Sequence, residues 1–320
     1  MRVLLIGARR VRTGTGPYLA RFLADEGLPA TDVLGTTPDT SREAADALAA
    51  QGLPPAEAHA DPAAAFEAAR PEVVVICSPI SSHQGLLERS LDAGAHVLCE
   101  KPLLWSGWGS GERAEAFSNA FTLRERHLVV QAQWPYVIPT WRTLTGAEEE
   151  WQPRRFRMHL EPSSSGPRMI LDAMPHPLSV LAHLLPGPGA VVEGLRLDRP
   201  GGSPDALDIR FTYRTPTGAI DARVDLRTSQ TTPRPAGLGF DGRLAWREIE
   251  EPGYLLFLRH AVRRIPLPDP TRLLVGSFVS QVRAGPPQHS DAAVVPGVRH
   301  LEQMMRAYED QIGPLPKDFA

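Results

Sequence analysis

The sequence predicts an α/β protein in two parts, an N-terminal doubly wound parallel sheet and a C-terminal α+β domain with a mainly antiparallel open sheet. The first part is indicated by short apolar runs that alternate with stretches of helical periodicity, which is typical of parallel strands buried on both faces. The second part is indicated by strand-like runs that follow one another with few helices between them. A length of 320 residues agrees with two domains, since one domain usually takes roughly 100–200.

The first domain is predicted to span residues 1–132. Its strongest strand is Val73–Ile76, which is β-branched throughout. The other predicted elements are strands at 2–6, 31–35 and 95–99, helices at 18–25, 41–50, 63–69 and 83–93, and a closing segment at 123–130. Ser41 is the predicted N-cap of the second helix, and Gly94 is the predicted C-cap of the fourth.

The second domain is predicted to span residues 133–320. Its predicted strands lie at 154–160, 191–197, 207–213, 219–226 and 244–249, with one early helix at about 177–185 and a last helix at about 298–311. Turn signals such as Thr217-Gly218 join consecutive strands and favour antiparallel pairing. An open sheet of this kind has a face to cover, and we expect it to form a homodimer or homotetramer through that face.

Composition excludes several classes of protein. The chain carries 34 Lys+Arg against 37 Asp+Glu, a net charge of −3, whereas binding to nucleic acid through phosphates needs a basic excess. Its 2 cysteines exclude a disulfide scaffold and cysteine-based zinc modules. No apolar run approaches the roughly 18–20 residues that span a bilayer, and the first residues lack the layout of a signal peptide. We therefore expect a cytoplasmic enzyme with a small-molecule substrate and no membrane partner.

The loop after the first strand is an irregular form of the glycine-rich phosphate loop found in Rossmann folds. Gly7 and Gly16 take the first and last glycine positions, but the loop is four residues longer than G-x-G-x-x-G and has Arg9 where a middle glycine is expected. Arg9 and Arg10 are candidates for binding the phosphates of a dinucleotide, since guanidinium groups match phosphates in geometry. The alternative is that these arginines are only solvated loop charges.

The tip of the second strand bears on the choice between NAD and NADP. An acidic residue usually holds the ribose diol of NAD there, whereas this chain has Thr37 with Arg42 one turn later. Hydroxyls beside an arginine favour a 2′-phosphate, so the sequence predicts an NAD(P) cofactor with a slight preference for NADP. Asp39 leaves the alternative open, because its carboxylate could still reach a ribose.

The segment 73–102 carries a specific resemblance. It contains Ser78-Pro79 after the strongest strand, His83 four residues after that proline, and Glu100-Lys101-Pro102 after the next strand. This arrangement resembles the glucose–fructose oxidoreductase/inositol dehydrogenase/rhizopine-catabolism (Gfo/Idh/MocA) family. The resemblance implies that Lys101 lies near the nicotinamide and the substrate. It further implies that Ser78, Pro79, His83 and Glu100 contribute to cofactor binding, with capping of its own helix as the alternative for His83.

A lysine at this place also has a simple reading from the residues alone. Most lysines lie on the surface, and Lys101 could be one of them. A lysine at the mouth of a cleft instead loses hydration, and it can then donate to a substrate hydroxyl or carbonyl. The Glu-Lys-Pro context at a strand end favours this second reading.

Asp172 and His176 are the candidate catalytic residues of the second domain. Their i, i+4 spacing puts them on one face of a helix, and the prolines at 175 and 177 place that face at a helix start. A histidine exchanges protons near neutrality, although a cap for Asp172 and a half-buried position for His176 are the alternatives. The resemblance implies that this pair faces Lys101 across the domain cleft. A metal site that adds His183 lacks supporting ligands, so we predict no metal.

The resemblance as a whole implies an NAD(P)-dependent oxidoreductase acting on a sugar, a polyol or a related small molecule. His176 would move the proton, Lys101 would polarise the reacting oxygen, and Asp172 would orient His176. Two alternatives stay open. One is a non-redox sensor or regulator that binds the dinucleotide, and the other is a hydrolase or lyase that retains NAD.

Two segments depart from the pattern of the family. Residues 105–111 are rich in glycine and tryptophan where the start of a helix is usual, and they are predicted to be a loop beside the active site. In residues 131–136, Gln133 or Tyr136 stands where the family commonly has an arginine or asparagine facing the substrate. Both departures bear on the substrate class, and no single residue of the sequence identifies the substrate.

Overall fold

The computed structural model of the chain describes residues 1–9, 14–148, 150–187, 189–287 and 294–319. The described chain divides into two compact units. The first unit comprises residues 1–106, 112–131 and 271–294, and the second comprises residues 107–111, 132–270 and 295–320.

Strands and helices alternate in the first third of the chain and segregate afterwards. The strands are β1 (Val3–Ile6), β2 (Asp32–Leu34), β3 (Glu57–His59), β4 (Val73–Ile76), β5 (His96–Cys99), β6 (Leu128–Val130), β7 (Arg155–Leu160), β8 (Val191–Asp198), β9 (Ala206–Thr215), β10 (Gly218–Arg227), β11 (Ala236–Phe240), β12 (Arg243–Glu250), β13 (Leu255–His260) and β14 (Arg263–Pro266). The helices are α1 (Gly16–Asp25), α2 (Pro38–Ala50), α3 (Pro62–Ala69), α4 (His83–Asp92), α5 (Ser110–Leu123), α6 (Ile138–Thr145), α7 (Arg168–Ala173), α8 (Pro175–Leu184), α9 (Pro270–Ala284) and α10 (Val294–Gln311). None of the helices in the described part combines the length and the hydropathy that a bilayer crossing requires.

The first unit is built on a parallel sheet of six strands in the order β3-β2-β1-β4-β5-β6. The central strands β1 and β4 are fully buried, which explains their continuous apolar sequences. The strand order reverses between β1 and β4, because β2 and β3 extend the sheet on one side of β1 and β4 to β6 extend it on the other. Ligands of such sheets bind at this point, outside the carboxyl ends of the strands. The predicted doubly wound parallel sheet is confirmed.

The start of α2 corrects one sequence prediction. The N-cap is Thr37 and not Ser41, because Thr37 and Thr40 form a reciprocal capping box and Pro38 occupies the first helical position. Ser41 lies inside the helix, where its buried hydroxyl donates to the carbonyl of His59 at 2.6 Å. The short edge strand β3 was not predicted, since its Glu-Ala-His sequence gives no apolar signal.

The second unit is built on a sheet of eight strands in the order β14-β13-β12-β11-β7-β10-β9-β8. All pairs are antiparallel except β7 with β10, so the predicted mainly antiparallel sheet is confirmed. Side chains of β7 alternate between a buried face, with Phe156 and Met158, and an open face, with Arg155 and Arg157. Strand β11 was not predicted because its glycines mask the pattern. Gly239 is needed there, since a Cβ would lie 2.6 Å from the Cα of Leu244.

The segment that carries Asp172 and His176 forms two short helices and not the single helix predicted. α7 ends at Ala173 and α8 begins at Pro175, while Met174 between them keeps helical angles of φ −66° and ψ −22°. Prolines at 175 and 177 have no N–H, so two hydrogen bonds of the ladder are missing where α7 meets α8. The start of α8 is therefore continuous with α7 and is not the open helix end that the sequence suggested.

Helix α9 belongs to the first unit although it lies late in the sequence. Arg272 forms an ion pair with Asp25, and Arg283 donates to the carbonyl of Glu26 at 2.6 Å, so that α9 is held at the end of α1. Phe278 and Val279 on α9 are buried. The division of the chain into domains at residue 132 stays a prediction.

Candidate active site

Gly7 and Gly16 form a close backbone contact at the carboxyl end of β1. Gly7 has φ +81°, and a Cβ on it would lie 2.7 Å from the carbonyl oxygen of Cys77. A Cβ on Gly16, at the start of α1, would overlap the carbonyl oxygen of Gly7 and lie 2.9 Å from the Cα of Ala8. Only glycine fits at either position. These are the tight turn and the close approach of helix to strand that a dinucleotide-binding loop requires.

Replacing Gly16 by alanine should therefore damage the cofactor site. We expect Gly16→Ala to weaken NADH binding at least about tenfold, because the added methyl pushes α1 away from the loop after β1. The matched control is Gly85→Ala in α4, where the described residues leave the added Cβ without a neighbour within 4 Å. Titrations followed by nicotinamide fluorescence measure both variants, and unchanged affinity in Gly16→Ala would contradict the assignment of this loop.

The loop after β4 is held in shape by its own side chains and by His83. The hydroxyl of Ser78 lies 2.7 Å from that of Ser82, whose Oγ also donates to the carbonyl of Pro79 at 2.8 Å. His83 is 1% exposed, with Nε2 lying 2.9 Å from the carbonyl oxygen of Ser78. Its Nδ1 lies 3.1 Å from the carbonyl oxygen of Pro102. His83 thus fixes the backbone at two strand ends.

Glu100 connects the end of β5 to the start of α1. One carboxylate oxygen accepts from the hydroxyl of Thr15 at 2.7 Å, and the other accepts from the backbone N–H of Lys101 at 3.1 Å. Lys101 is half-buried at the carboxyl edge of the sheet, and its peptide bond to Pro102 is cis. Glu100 therefore positions both the first turn of α1 and the backbone of Lys101.

The two cysteines are unreactive thiols. Cys99 on β5 is buried, and Cys77 directly follows β4 and is half-buried. Burial, reinforced by the charge of Glu100, raises the pKa of both thiols. A raised pKa keeps the thiolate population low, so neither residue is a candidate nucleophile.

The candidate residues at the tip of β2 and in the phosphate loop form hydrogen bonds and ion pairs with residues of α2. The hydroxyl of Thr37 accepts from the backbone N–H of Thr40 at 3.2 Å. Arg42 forms an ion pair with Asp39 at 2.6 Å, and Arg9 forms one with Glu43 at 3.2 Å. Arg10 lies outside the described residues.

In the second unit, Asp172 and His176 are both half-buried. Asp172 accepts a hydrogen bond from the hydroxyl of Ser164 at 3.2 Å, and the carbonyl of His176 accepts from Ser179 at 2.7 Å. The ring of Trp134 contacts the His176 ring edge-on, with centroids 6.2 Å apart. Trp134 is thus the aromatic neighbour of the candidate base. That Gln133 or Tyr136 faces the substrate stays a prediction.

Arg247 is a residue of this region that the sequence analysis missed. Its guanidinium carbon lies 5.7 Å from the centre of the Trp134 ring, and an Nη atom donates to the carbonyl of Arg234 at 3.1 Å. The available signal was an arginine two residues after Ala245, where the alternation of β12 calls for an apolar side chain. The cross-strand register that gives the signal its meaning is visible only in the structure.

Within the described ranges, one group of side chains has the composition of a metal site. Asp32, Glu57 and His59 have potential ligand atoms within 4.8 Å of one another. The carboxylate of Asp32 is already used, since it pairs with His59 at 2.7 Å and accepts from Thr31 at 2.8 Å. This group joins β2 to the edge strand β3 and is explained by hydrogen bonding alone.

Comparison with protein families matches residues 1–133 to an oxidoreductase family with an NAD-binding Rossmann fold, the Gfo/Idh/MocA family. Comparison with curated proteins gives no match.

Solved structures of the same fold cover nearly the whole chain. UDP-N-acetylglucosamine 3-dehydrogenase GnnA from Acidithiobacillus ferrooxidans is 21% identical, with a TM-score of 0.69 over 98% of this chain and 99% of its own. An inositol dehydrogenase homolog from Azotobacter vinelandii, complexed with NADH and myo-inositol, is 19% identical, with a TM-score of 0.64 over 97% and 96%. A 3-ketoreductase from Actinomadura kijaniata, in complex with TDP-benzene and NADP, is 17% identical, with a TM-score of 0.65 over 94% and 96%.

Proposed function

We propose that the chain, whose residues 1–133 match the Gfo/Idh/MocA family of NAD-binding oxidoreductases, catalyses hydride transfer between NAD(P) and a carbon of a sugar, polyol or related small molecule. The observation that carries this proposal is the glycine contact at the end of β1, where Gly7 and Gly16 let the start of α1 approach the loop after β1 as closely as a dinucleotide-binding turn requires. A bound NAD(P) supplies or accepts the hydride, and the protein supplies the binding and the orientation.

The cofactor is held, in this proposal, at the carboxyl edge of the parallel sheet. Gly7 and Gly16 receive the pyrophosphate, while Ser78 and Pro79 line the loop after β4 at the point where the sheet reverses. His83 and Glu100 act as positioning residues, because they contact the protein backbone and Thr15. Arg9 joins the phosphates by leaving its exposed ion pair with Glu43, which costs little.

The reacting groups of the chain are Lys101 and His176. Lys101 donates a hydrogen bond to the oxygen on the reacting carbon and polarises it, since an ammonium group is a compact charge with several donors. His176 takes or gives the proton of that oxygen near neutral pH. Asp172, four residues before His176, orients it or a neighbouring hydroxyl.

One feature of composition supports a chemical role for Lys101. The chain contains only 2 lysines against 32 arginines, so it uses arginine almost everywhere for a surface cation. A lysine at the end of β5 offers what arginine cannot, a small ammonium group whose pKa responds to its surroundings. The substrate class is supported by the solved structures, among which one holds myo-inositol and another is a dehydrogenase of a nucleotide sugar.

We further propose a slight preference for NADP. The hydroxyls at the tip of β2 and the nearby Arg42 suit a 2′-phosphate, while the ion pair of Arg42 with Asp39 keeps the preference small. We expect NADPH to bind up to about tenfold more tightly than NADH, and Arg42→Ala to remove that difference without weakening NADH binding. Arg21→Ala is the matched control, because Arg21 also pairs with a nearby aspartate, Asp25. A tenfold preference for NADH would contradict the proposal.

The chain is further proposed to act in the cytoplasm as a homodimer or homotetramer that associates through the open face of the eight-stranded sheet. That face is lined with charged side chains, including the ion pair of Arg157 with Asp225 at 2.8 Å and that of Arg223 with Asp225 at 2.7 Å. In this proposal, a second copy of the chain covers this open face of the sheet. Light scattering of the purified protein measures the number of copies.

The proposed function is tested by two measurements in sequence. Titration with NADH and NADPH establishes cofactor binding, and a screen of sugars and polyols by nicotinamide absorbance then establishes turnover. We expect binding of at least one cofactor and oxidation or reduction of at least one compound. Cofactor binding with no turnover on any compound would instead favour the non-redox sensor.

A further inference from the structure

Arg247 is a charged residue on a buried sheet face. Its cross-strand neighbour on β11 is Ala236, which in turn faces Leu160 on β7, and both are buried. Ala245, two residues earlier on β12, is fully buried on the same face. A guanidinium group at such a position is costly unless an acceptor compensates it.

The described residues do not supply a full compensation for this charge. The Nε of Arg247 is buried and has no hydrogen-bond partner among them, and no carboxylate there forms an ion pair with it. Burial lowers the pKa of Arg247, and the nearby phenol of Tyr254 opposes the shift. Arginine nevertheless stays protonated in proteins, so the positive charge persists and requires an anion.

Arg234 adds a second cation in the same state. It precedes β11, and its Nε is also buried without a partner in the described part of the chain. The segment before it is tied to the loop that follows β7, since Thr228 donates to the carbonyl of Ser164 at 3.0 Å. Ser164 in turn donates to Asp172 at 3.2 Å, which connects this segment to the candidate catalytic pair.

Trp134 is a shared neighbour of Arg247 and the candidate base. One ring contacts His176 at a centroid distance of 6.2 Å and the guanidinium of Arg247 at 5.7 Å. A substrate that reacts at His176 would lie against this ring, and its substituents would come within reach of Arg247. Aromatic rings beside a polar group are suited to the apolar face of a sugar.

We propose that Arg247 binds an oxyanion of the substrate, so that the substrate is a sugar or polyol derivative bearing a carboxylate or a phosphate. This inference rests on the proposed function, because it names the substrate class of that same site. A carboxylate or a phosphate offers several acceptor oxygens in the geometry that a guanidinium matches, so it would compensate the positive charge of Arg247. Arg234, whose carbonyl accepts from Arg247, adds a second positive charge to this region.

The test measures binding without turnover. Isothermal titration calorimetry of the full chain compares D-glucuronate, glucose 6-phosphate and uncharged glucose. We expect at least one of the two anions to bind at least about tenfold more tightly than glucose, since a charged hydrogen bond supports a difference of this size. The anion that binds more tightly identifies the oxyanion as a carboxylate or a phosphate.

Variants assign the effect to Arg247. Arg247→Gln should bring the anion to within about threefold of glucose, and Arg247→Lys, which keeps the charge and is the milder change, should retain part of the preference. Arg243→Gln is the matched control, because Arg243 is an exposed residue of the same strand. Equal affinities for the three compounds in the wild type, or an unchanged preference in Arg247→Gln or Arg247→Lys, would overturn the proposal.

Failure of this inference differs from failure of the proposed function. If the proposed function fails, no turnover is found with any compound, charged or neutral. If only the inference fails, the protein turns over neutral polyols with a kcat/KM at least equal to that for their charged counterparts.

Discussion

Lys101→Met should lower kcat by roughly 10²–10⁴ on any confirmed substrate while NADH binds within about threefold of its normal affinity. Methionine keeps the length and much of the volume of lysine but removes the ammonium group that we propose polarises the reacting oxygen. The backbone of Lys101 is held independently by Glu100, whose carboxylate accepts from its N–H, so the loop should keep its shape in the variant. Stopped-flow measurement of the hydride-transfer step separates this effect from product release.

The chain provides a natural control for the loss of a lysine. Lys317, the other lysine of the sequence, lies exposed near the C-terminus, and Lys317→Met should leave both kcat and NADH affinity unchanged. Wild-type turnover in Lys101→Met would remove Lys101 from the reaction. A parallel loss of NADH binding would instead show that Lys101 belongs only to the cofactor site.

His176→Asn should also lower kcat by roughly 10²–10⁴, because asparagine preserves a polar side chain but cannot exchange a proton near neutral pH. The pH profile of kcat/KM should lose the limb that the imidazole contributes, a change that a merely structural role would not produce. Asp172→Asn should have a smaller effect of about tenfold, since Asp172 acts through orientation.

The control for His176 lies on the same helix. His183 is an exposed residue near the end of α8, and His183→Asn should preserve both the rate and the pH profile. An unchanged pH profile in His176→Asn would assign proton transfer to another group. The contact of His176 with Trp134 predicts some loss of thermal stability in His176→Asn, and a melting curve measures it.

The sequence was most informative where local pattern alone decides the structure. The strand at Val73–Ile76 has the predicted bounds, because a run of β-branched residues buried on both faces has few alternatives. The place of α9 in the first unit could not be predicted from local pattern. It depends on the ion pair of Arg272 with Asp25, a residue far away in the sequence. Ser41 is not the cap of α2, because Thr37 and Thr40 form the capping box ahead of it.

The candidate site was predictable in the same uneven way. Gly7 and Gly16 were chosen from spacing, and the structure explains them through close backbone contacts that only glycine permits. His83 is recognisable by its motif, but its contacts with backbone carbonyls at two strand ends could not be read from the chain. Arg247 required the register of β11 with β12, which is a product of the folded sheet.

The central claim is that Lys101 and His176 act on one reacting carbon beside a nicotinamide ring. A crystal structure of the protein with bound NADH or NADPH tests it most directly, through the distances from nicotinamide C4 to Nζ of Lys101 and to the imidazole of His176. We expect both groups to lie within about 6 Å of one point, and this point to be within hydrogen-bond reach of a substrate bound at C4. Side chains more than about 10 Å apart that open to separate regions of solvent, with no hinge to bring them together, would contradict the account.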